Sequence, residues 1–295
     1  MKNLFKLITL LTLTISFCMN AQWAYPGSNW AMHAQNSTAT GDYAAAMGNA
    51  TTASGNYSTS MGDNTTASGS ASTAMGSSTT ASGGRSTAMG RNTTASGWYS
   101  TSIGYYTTAS GSYSTAMGDV TTASGERSTA MGRGTTASDY ASVVIGQYNS
   151  SGSSATNATS YNTSNTAFVI GNGTDPSNKS DAFKIMFNGD ATVSNDLTVS
   201  GDVVISSDSR LKSNIVSLGS TLPKLLKIDG KSYEMKGKQK IGVLAQEIQK
   251  VFPELVSEDD NENLAVNYQG LVPVLINALK EQEERIKRLE ELLLD

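Results

Sequence analysis

The stretch ISSDSRLKSN, residues 205–214, holds the residues of this chain best suited to chemistry. Ser206, Ser207 and Ser209 all lie within six residues of Lys212. A serine hydroxyl becomes a nucleophile when a neighbouring base takes its proton, and a desolvated lysine can be that base. The stretch is also a seam in composition. Gly, Ser, Thr and Ala dominate before it, and Lys, Glu and Leu take over after it. It reads either as a polar turn between two domains or as a place where the chain cuts itself. Other chemistry is scarce: His33 is the only histidine and Cys18 the only cysteine. No Cys/His dyad and no histidine metal cluster can be built from them, and a Ser-His-Asp triad would have to recruit the distant His33. A nucleophile here needs Lys or a carboxylate as its base, and neither a metal nor a cofactor is expected.

The elements that must position these residues follow from composition and period. The 295 residues carry a formal net charge of −4 and are 16% charged, with no basic patch of the kind a nucleic-acid binder presents. At the N-terminus, Lys2 and Lys6 precede an apolar run from Leu7 to Phe17 and then small or polar residues. That is the pattern of a secretory signal peptide over residues 1–21, cut near Ala21 and too short to span a membrane comfortably. Lipidation at Cys18 is the alternative, and the bulky Phe17 before it argues against that. The mature chain is expected to be secreted or displayed at the cell surface, with no disulfide and no membrane span.

Between residues 22 and 147 the chain repeats. Gly48, Gly62, Gly76, Gly90, Gly104, Gly118, Gly132 and Gly146 fall 14 residues apart, and Gly41, Gly55, Gly69, Gly83, Gly97, Gly111 and Gly125 fall halfway between. The unit GxxSTAMGxxTTAS divides into halves of about five strand residues and two turn residues, one side of a flattened β-coil each. One large apolar residue recurs per unit, at Met47, Met61, Met75, Met89, Ile103, Met117, Met131 and Ile145. These are expected to form the core of each coil. Such a core is thin, at about 1.5–3 kcal/mol per fully buried side chain, against roughly 1–2 kcal/mol of backbone entropy per ordered residue. Packing of several chains would supply the missing apolar area.

The repeat resembles that of trimeric autotransporter adhesin heads, over about residues 27–147. The resemblance implies three left-handed parallel β-rolls packed about an axis. Those adhesins end in a membrane-embedded β-barrel, and no such strands stand out here. Residues 148–205 read as a Ser/Asn/Thr loop followed by a β-rich neck, with a hairpin at Asn188-Gly189 and half-buried strands on Leu197/Val199 and Val203/Ile205.

Residues 206–295 differ in kind. IGVLAQEIQKVFPELV reads as an amphipathic helix stopped by Pro253. In the last segment Val272, Leu279, Ile286 and Leu293 share one heptad position, and Leu275, Gln282 and Leu289 the other. That is a short coiled-coil seam over about 271–295, with Gln282 as a polar interruption. A helix folded onto its own domain is the alternative. The ordered blocks SSDSRLKSNI, IDGKSYEM, IGVLAQEIQKVFPELV and VNYQGLVPVLINALKE resemble the intramolecular chaperone auto-processing domain of phage endosialidase tailspikes, serine peptidase family 74. That resemblance implies a small α+β domain that assembles three chains and then releases itself. It places the nucleophile on Ser207, the base on Lys212 and the cut between Ser206 and Ser207. The pair faces a geometric demand. An extended strand would hold them about 16 Å apart, and an α-helix would point them about 140° apart. They meet if Asp208-Ser209 turns the chain back, or if they come from different protomers.

The expected fold is therefore mainly β: a trimeric left-handed parallel β-roll solenoid, a β-rich neck and a small α+β chaperone domain ending in a coiled-coil helix. The function it implies is that of a secreted trimeric fibre or adhesin-like surface protein with a self-releasing chaperone. A cleavage-inactive fibre and a Thr-rich ice- or surface-binding solenoid are the rivals. Adjacent threonines such as Thr65-Thr66 argue against the latter, because one must point each way. A glycan-degrading tailspike would need a carboxylate pair within the repeats, and there is none. Stacking of the turns puts Tyr57, Trp98, Tyr99 and Tyr113 along one edge, with Tyr105 and Tyr106 on the other. Exposed aromatics of this kind suit a host or cell-surface protein or glycan.

Overall fold

The computed structural model describes residues 36–258 and 262–294, together with the backbone of two short strands, Ala21–Gln22 and Met32–Ala34. The expected signal peptide, Cys18 and the His33 side chain lie outside the described residues. The chain divides into two compact units between Ser200 and Gly201.

The first unit is a parallel β-solenoid. Each coil contributes one five-residue strand, such as Thr59–Asp63 or Thr101–Tyr105, and one two-residue strand, such as Thr66–Ala67. The two halves are thus unequal, unlike the equal division expected. The long strands stack into one sheet and the short ones into a second, with strict parallel register: Met61 faces Met75, Met75 faces Met89, and Met89 faces Ile103. Glycine enforces the flatness of the coil. Gly62 has φ 121°, and a methyl group there would overlap the carbonyl oxygen of Gly76 in the next coil. A methyl on Gly69 would overlap the carbonyl of Gly83 in the same way.

The methionines do not form the core. Met47, Met117 and Met131 are 40%, 38% and 38% exposed, and the others are half-buried. The interior is filled instead by Ala74, Ala88, Ala116 and Ala130 from the long strands and Ala67, Ala81, Ala95 and Ala109 from the short ones, all fully buried. Columns of buried Ser and Thr complete it, Thr65 pointing inward while Thr66 stays half-exposed. Two sheets drawn together by two-residue turns leave no room for a thioether between them. The Thr and Met of the long strands, with Ala45, Ile103, Val143 and Ile145 at the equivalent places, consequently face out as a continuous stripe.

Two features close the solenoid. Asp139 stands where the next halfway glycine would fall, is fully buried, and accepts the N–H of Thr156 at 2.6 Å and of Thr166 at 2.8 Å. It thereby fastens the Ser/Asn/Thr loop that follows. Thr166–Asn172 then rejoins the sheet in parallel with Val143–Gln147, and Asp181–Met186 and Ala191–Val193 add antiparallel strands around the Asn188-Gly189 turn. The strands expected at Leu197/Val199 and Val203/Ile205 are absent. These residues are 46–71% exposed and, among the described residues, belong to no ladder.

The second unit holds a short helix Leu222–Leu225, a hairpin of Lys231–Met235 with Lys238–Gly242, a helix Ala245–Val251, and a small ladder of Val256–Glu258 with Leu264–Val266. The terminal helix, Leu271–Leu294, packs Val274 against Ile248 and Phe252. Pro273 is tolerated because it falls in the first turn, where the missing N–H is no loss. The helix folds onto its own domain along one face, and the residues of the expected heptad seam lie on another. Val274 and Ala278 are buried in the domain, while every apolar residue of the heptad seam is exposed, Ile286 least at 45%.

The buried hydroxyls yield a prediction. Where the long strand carries an inward Ser, it bonds the Thr five residues on: Ser60 to Thr65 and Ser102 to Thr107, both at 2.8 Å. Where it carries Ala, the Thr hydroxyl is left without a partner at Thr79, Thr93, Thr121 and Thr135, while Thr51 in the first coil donates to the Ser37 hydroxyl. Ala116→Ser should satisfy Thr121 and stabilise the solenoid by about 1 kcal/mol. Thermal unfolding checks it: the midpoint should rise in the parent and fail to rise in a Thr121→Val background.

Candidate functional site

The seam between the composition classes folds into a tight turn. Ser209–Leu211 forms a single 3-10 turn with Asp208 as its N-cap, and the Asp208 carboxylate accepts the Arg210 backbone N–H at 2.8 Å. Leu211 N–H donates to the Asp208 carbonyl and Lys212 N–H to the Ser209 carbonyl, both at 3.1 Å. Asp is favoured at such a position because its short side chain reaches the free N–H groups of the first turn. Arg210 closes over the same carboxylate, with Nη2 2.6 Å from Oδ2 and Nε 3.1 Å from both oxygens. The guanidinium holds the Asp208 carboxyl below its ordinary range, and Arg210 is itself raised by the pairing. Arg210 is therefore committed to Asp208.

This turn brings Lys212 back over Ser207: Nζ donates to Oγ at 2.7 Å. Among the described residues, the lysine reaches Ser207 rather than Ser206 or Ser209. The demand on geometry is met within one chain, by reversal at Asp208-Ser209. Every residue from Gly201 to Ser220 is solvent-exposed, the pair included. So are the apolar side chains around it, with Val204 88%, Leu211 74% and Val216 83% accessible.

Downstream, the segment is tied to the terminal helix. Glu281 accepts from the Ser220 hydroxyl at 2.7 Å, from the Leu222 N–H at 3.2 Å and from the Thr221 N–H. It caps the short helix that begins at Leu222, a task the spacing of the sequence could not reveal because its donors lie some sixty residues away. These donors, the Ser220 hydroxyl first, lower the Glu281 carboxyl below its ordinary range.

The aromatic edges of the solenoid are real but divided. Tyr99 and Tyr113 stack at 5.2 Å with ring planes 7° apart, and Trp98 meets Tyr99 edge-on at 4.9 Å. Tyr57 stacks instead on Tyr43 at 5.2 Å, separated from the Trp98 group by the coils that carry Ala71 and Arg85. Tyr105 and Tyr106 meet at 4.5 Å in the turns that join the sheets at the other edge. Left-handed turn residues fall two positions after the glycines on both edges, for example Tyr99 at φ 55° and Tyr113 at φ 60° on one and Tyr106 at φ 51° on the other.

Four tandem segments, residues 39–65, 67–93, 95–119 and 123–149, match the YadA head domain repeat, and residues 207–257 match the chaperone of endosialidase. The chain carries YadA-like head repeats followed by an endosialidase-type chaperone segment. The second match begins at Ser207 itself. Among individually curated proteins, none matches the chain. The two segments together support a trimeric adhesin or fibre with a chaperone domain, at the cell surface or secreted. No helix among the described residues is long and apolar enough to cross a membrane.

Asp208 gives the site a pH dependence. A carboxyl held below its unfolded value stabilises the turn fully above that value, about 3.9 for Asp, and the contribution is lost as the pH falls through the lower folded value. The Arg210 amide resonance should therefore be constant above about pH 5 and titrate with a midpoint below 3.9. Asp208→Asn should abolish the titration.

Proposed function

We propose that the chain is a secreted, trimeric fibre or adhesin-like surface protein whose C-terminal domain assists assembly and then releases itself by Ser–Lys autoproteolysis between Ser206 and Ser207. The observation that carries this reading is the 2.7 Å contact of Lys212 Nζ with Ser207 Oγ, set at the first residue of the chaperone match.

The step runs as follows. Ser207 Oγ attacks the Ser206 carbonyl carbon while neutral Lys212 takes the hydroxyl proton. The Ser206–Ser207 peptide bond breaks, the lysine passes that proton to the departing Ser207 amine, and an ester links Ser206 to Oγ. Water then hydrolyses the ester, restoring the hydroxyl and leaving a carboxylate on Ser206. An ammonium cannot act as this base, so the lysine must first be desolvated or placed beside a free cation. Arg210 is occupied by Asp208, which leaves desolvation. The exposed Val203, Val204, Ile205, Leu211, Ile215 and Val216 around the pair supply the reason for it: partner chains that cover these residues also dry the pair. In a lone protomer the same exposure favours an uncleaved fibre.

Trimerisation has two further supports. The Thr/Met stripe of the solenoid and the seam Val272, Leu275, Leu279, Gln282, Ile286, Leu289 and Leu293 each leave apolar surface facing out. Light scattering of the purified protein should give three chains, and a stable monomer at micromolar concentration would refute the assembly.

Expressed without residues 1–21, the wild type should yield a repeat-bearing fragment and a small fragment whose mass starts at Ser207. Ser207→Ala and Lys212→Ala should each remain full length and trimeric. Deletion of the final heptads should suppress cleavage as well. Full-length wild-type protein under assembling conditions would sink the proposal, and undiminished cutting in Ser207→Ala would move the nucleophile elsewhere.

A further inference from the structure

The head repeats between residues 36 and 147 contain no lysine and only the four arginines Arg85, Arg91, Arg127 and Arg133. All four lie over aromatic rings, at 5.1–5.7 Å from the centroids. On the Trp98 edge they make a continuous column: Arg85 over Trp98 and Tyr99, Tyr99 stacked on Tyr113, and Arg127 between Tyr113 and Tyr140. The column is held in place. Arg85 Nη1 donates to the Tyr99 hydroxyl and Arg127 Nη1 to the Tyr140 hydroxyl, each at 2.6 Å. Trp98 is seated on Gly84, where a methyl group would collide with the indole, yet it remains 51% exposed.

The charges differ along it. Arg127 is paired with Glu126 at 2.8 Å, whereas Arg85 makes no ion pair among the described residues. An exposed guanidinium of this kind offers a planar fork for a carboxylate or sulfate. The open indole beside it suits the apolar C–H face of a sugar ring. We infer that the Arg85–Trp98–Tyr99–Tyr113 edge binds an anionic polysaccharide lying along the stack of coils, its acid group on Arg85 and a ring on Trp98. A neutral glycan would leave Arg85 unused, and a flat protein surface would not need a single charge beside an exposed indole. The inference gives the head a ligand class that the proposed function leaves open, and it rests on the head being displayed as an adhesin.

The purified full-length Ser207→Ala chain tests it, with heparin as the sulfated probe, polygalacturonate as the carboxylated one and dextran as the neutral one. Binding to at least one polyanion is expected, falling as salt rises, with no binding to dextran. Arg85→Gln and Trp98→Ala should each weaken it about tenfold or more, the loss of one charge-assisted contact or one stacking platform. Arg91→Gln, which removes the same charge from the opposite edge, should leave affinity within about twofold. Thermal midpoints are read for every variant, so that if one variant misfolds the other still decides. Light scattering on the same samples reports the trimer separately, so loss of assembly is not mistaken for loss of the site. Failure to bind either polyanion, tighter binding to dextran, or equal weakening by Arg91→Gln and Arg85→Gln would each overturn the inference.

Discussion

The coil is too flat to contain anything larger than alanine, serine or threonine at most of its inward positions, and this constraint governs the rest of the head. Glycine backbones pass so close to the carbonyls of the next coil that a methyl group would overlap them. Parallel register then places identical residues above one another, so every interior site must be small in every coil. Alanine and buried hydroxyls fill the space, and the larger side chains are pushed to the faces and edges. The methionine and threonine stripe on one face and the aromatics on the edges are consequences of the same flatness. A solenoid with so little apolar volume inside leans for its stability on its backbone ladders.

The period, the long strands of the repeat and the turn edges were legible because they depend on spacing alone. Two-residue alternation puts Met61 and Thr59 on one face and Ser60 on the other. It does not say which face is inside. Hydrophobicity points to Met61, and the width of the coil decides for Ser60. Spacing places Tyr99 and Tyr113 on one edge, and there they stack at 5.2 Å. Asp139 is not legible from the repeat, where its replacement of a glycine looks like decay, yet its buried carboxylate gathers the N–H groups of Thr156 and Thr166. The residues near Val203 and Ile205 alternate as a strand would, yet among the described residues they join no ladder.

At the seam, the sequence posed a geometric condition on Ser207 and Lys212, and a three-residue turn capped by Asp208 meets it. Arg210 pairs with Asp208 instead of standing free beside the lysine. Glu281 was not legible at all, since its role depends on packing between the terminal helix and the segment around Thr221. The terminal helix buries one stripe and leaves another exposed. Val274 and Ala278 anchor it to the domain, and the heptad positions remain open. A helix of mixed pattern can serve both a domain and an assembly when the two stripes lie on different faces.

The central claim is that the methionine stripe faces outward from each coil and is covered by other copies of the chain. Peroxide oxidation of the native protein, read methionine by methionine by mass spectrometry, tests it directly. Met235 on the chaperone hairpin is 50% exposed and should oxidise readily. Met61, Met75, Met89, Met117 and Met131 should resist in the native assembly and become as reactive as Met235 once it is dissociated. Equal oxidation of the stripe and Met235 in the native protein would show the stripe bare. Protection that survived in a folded monomer would place the methionines inside the coil after all.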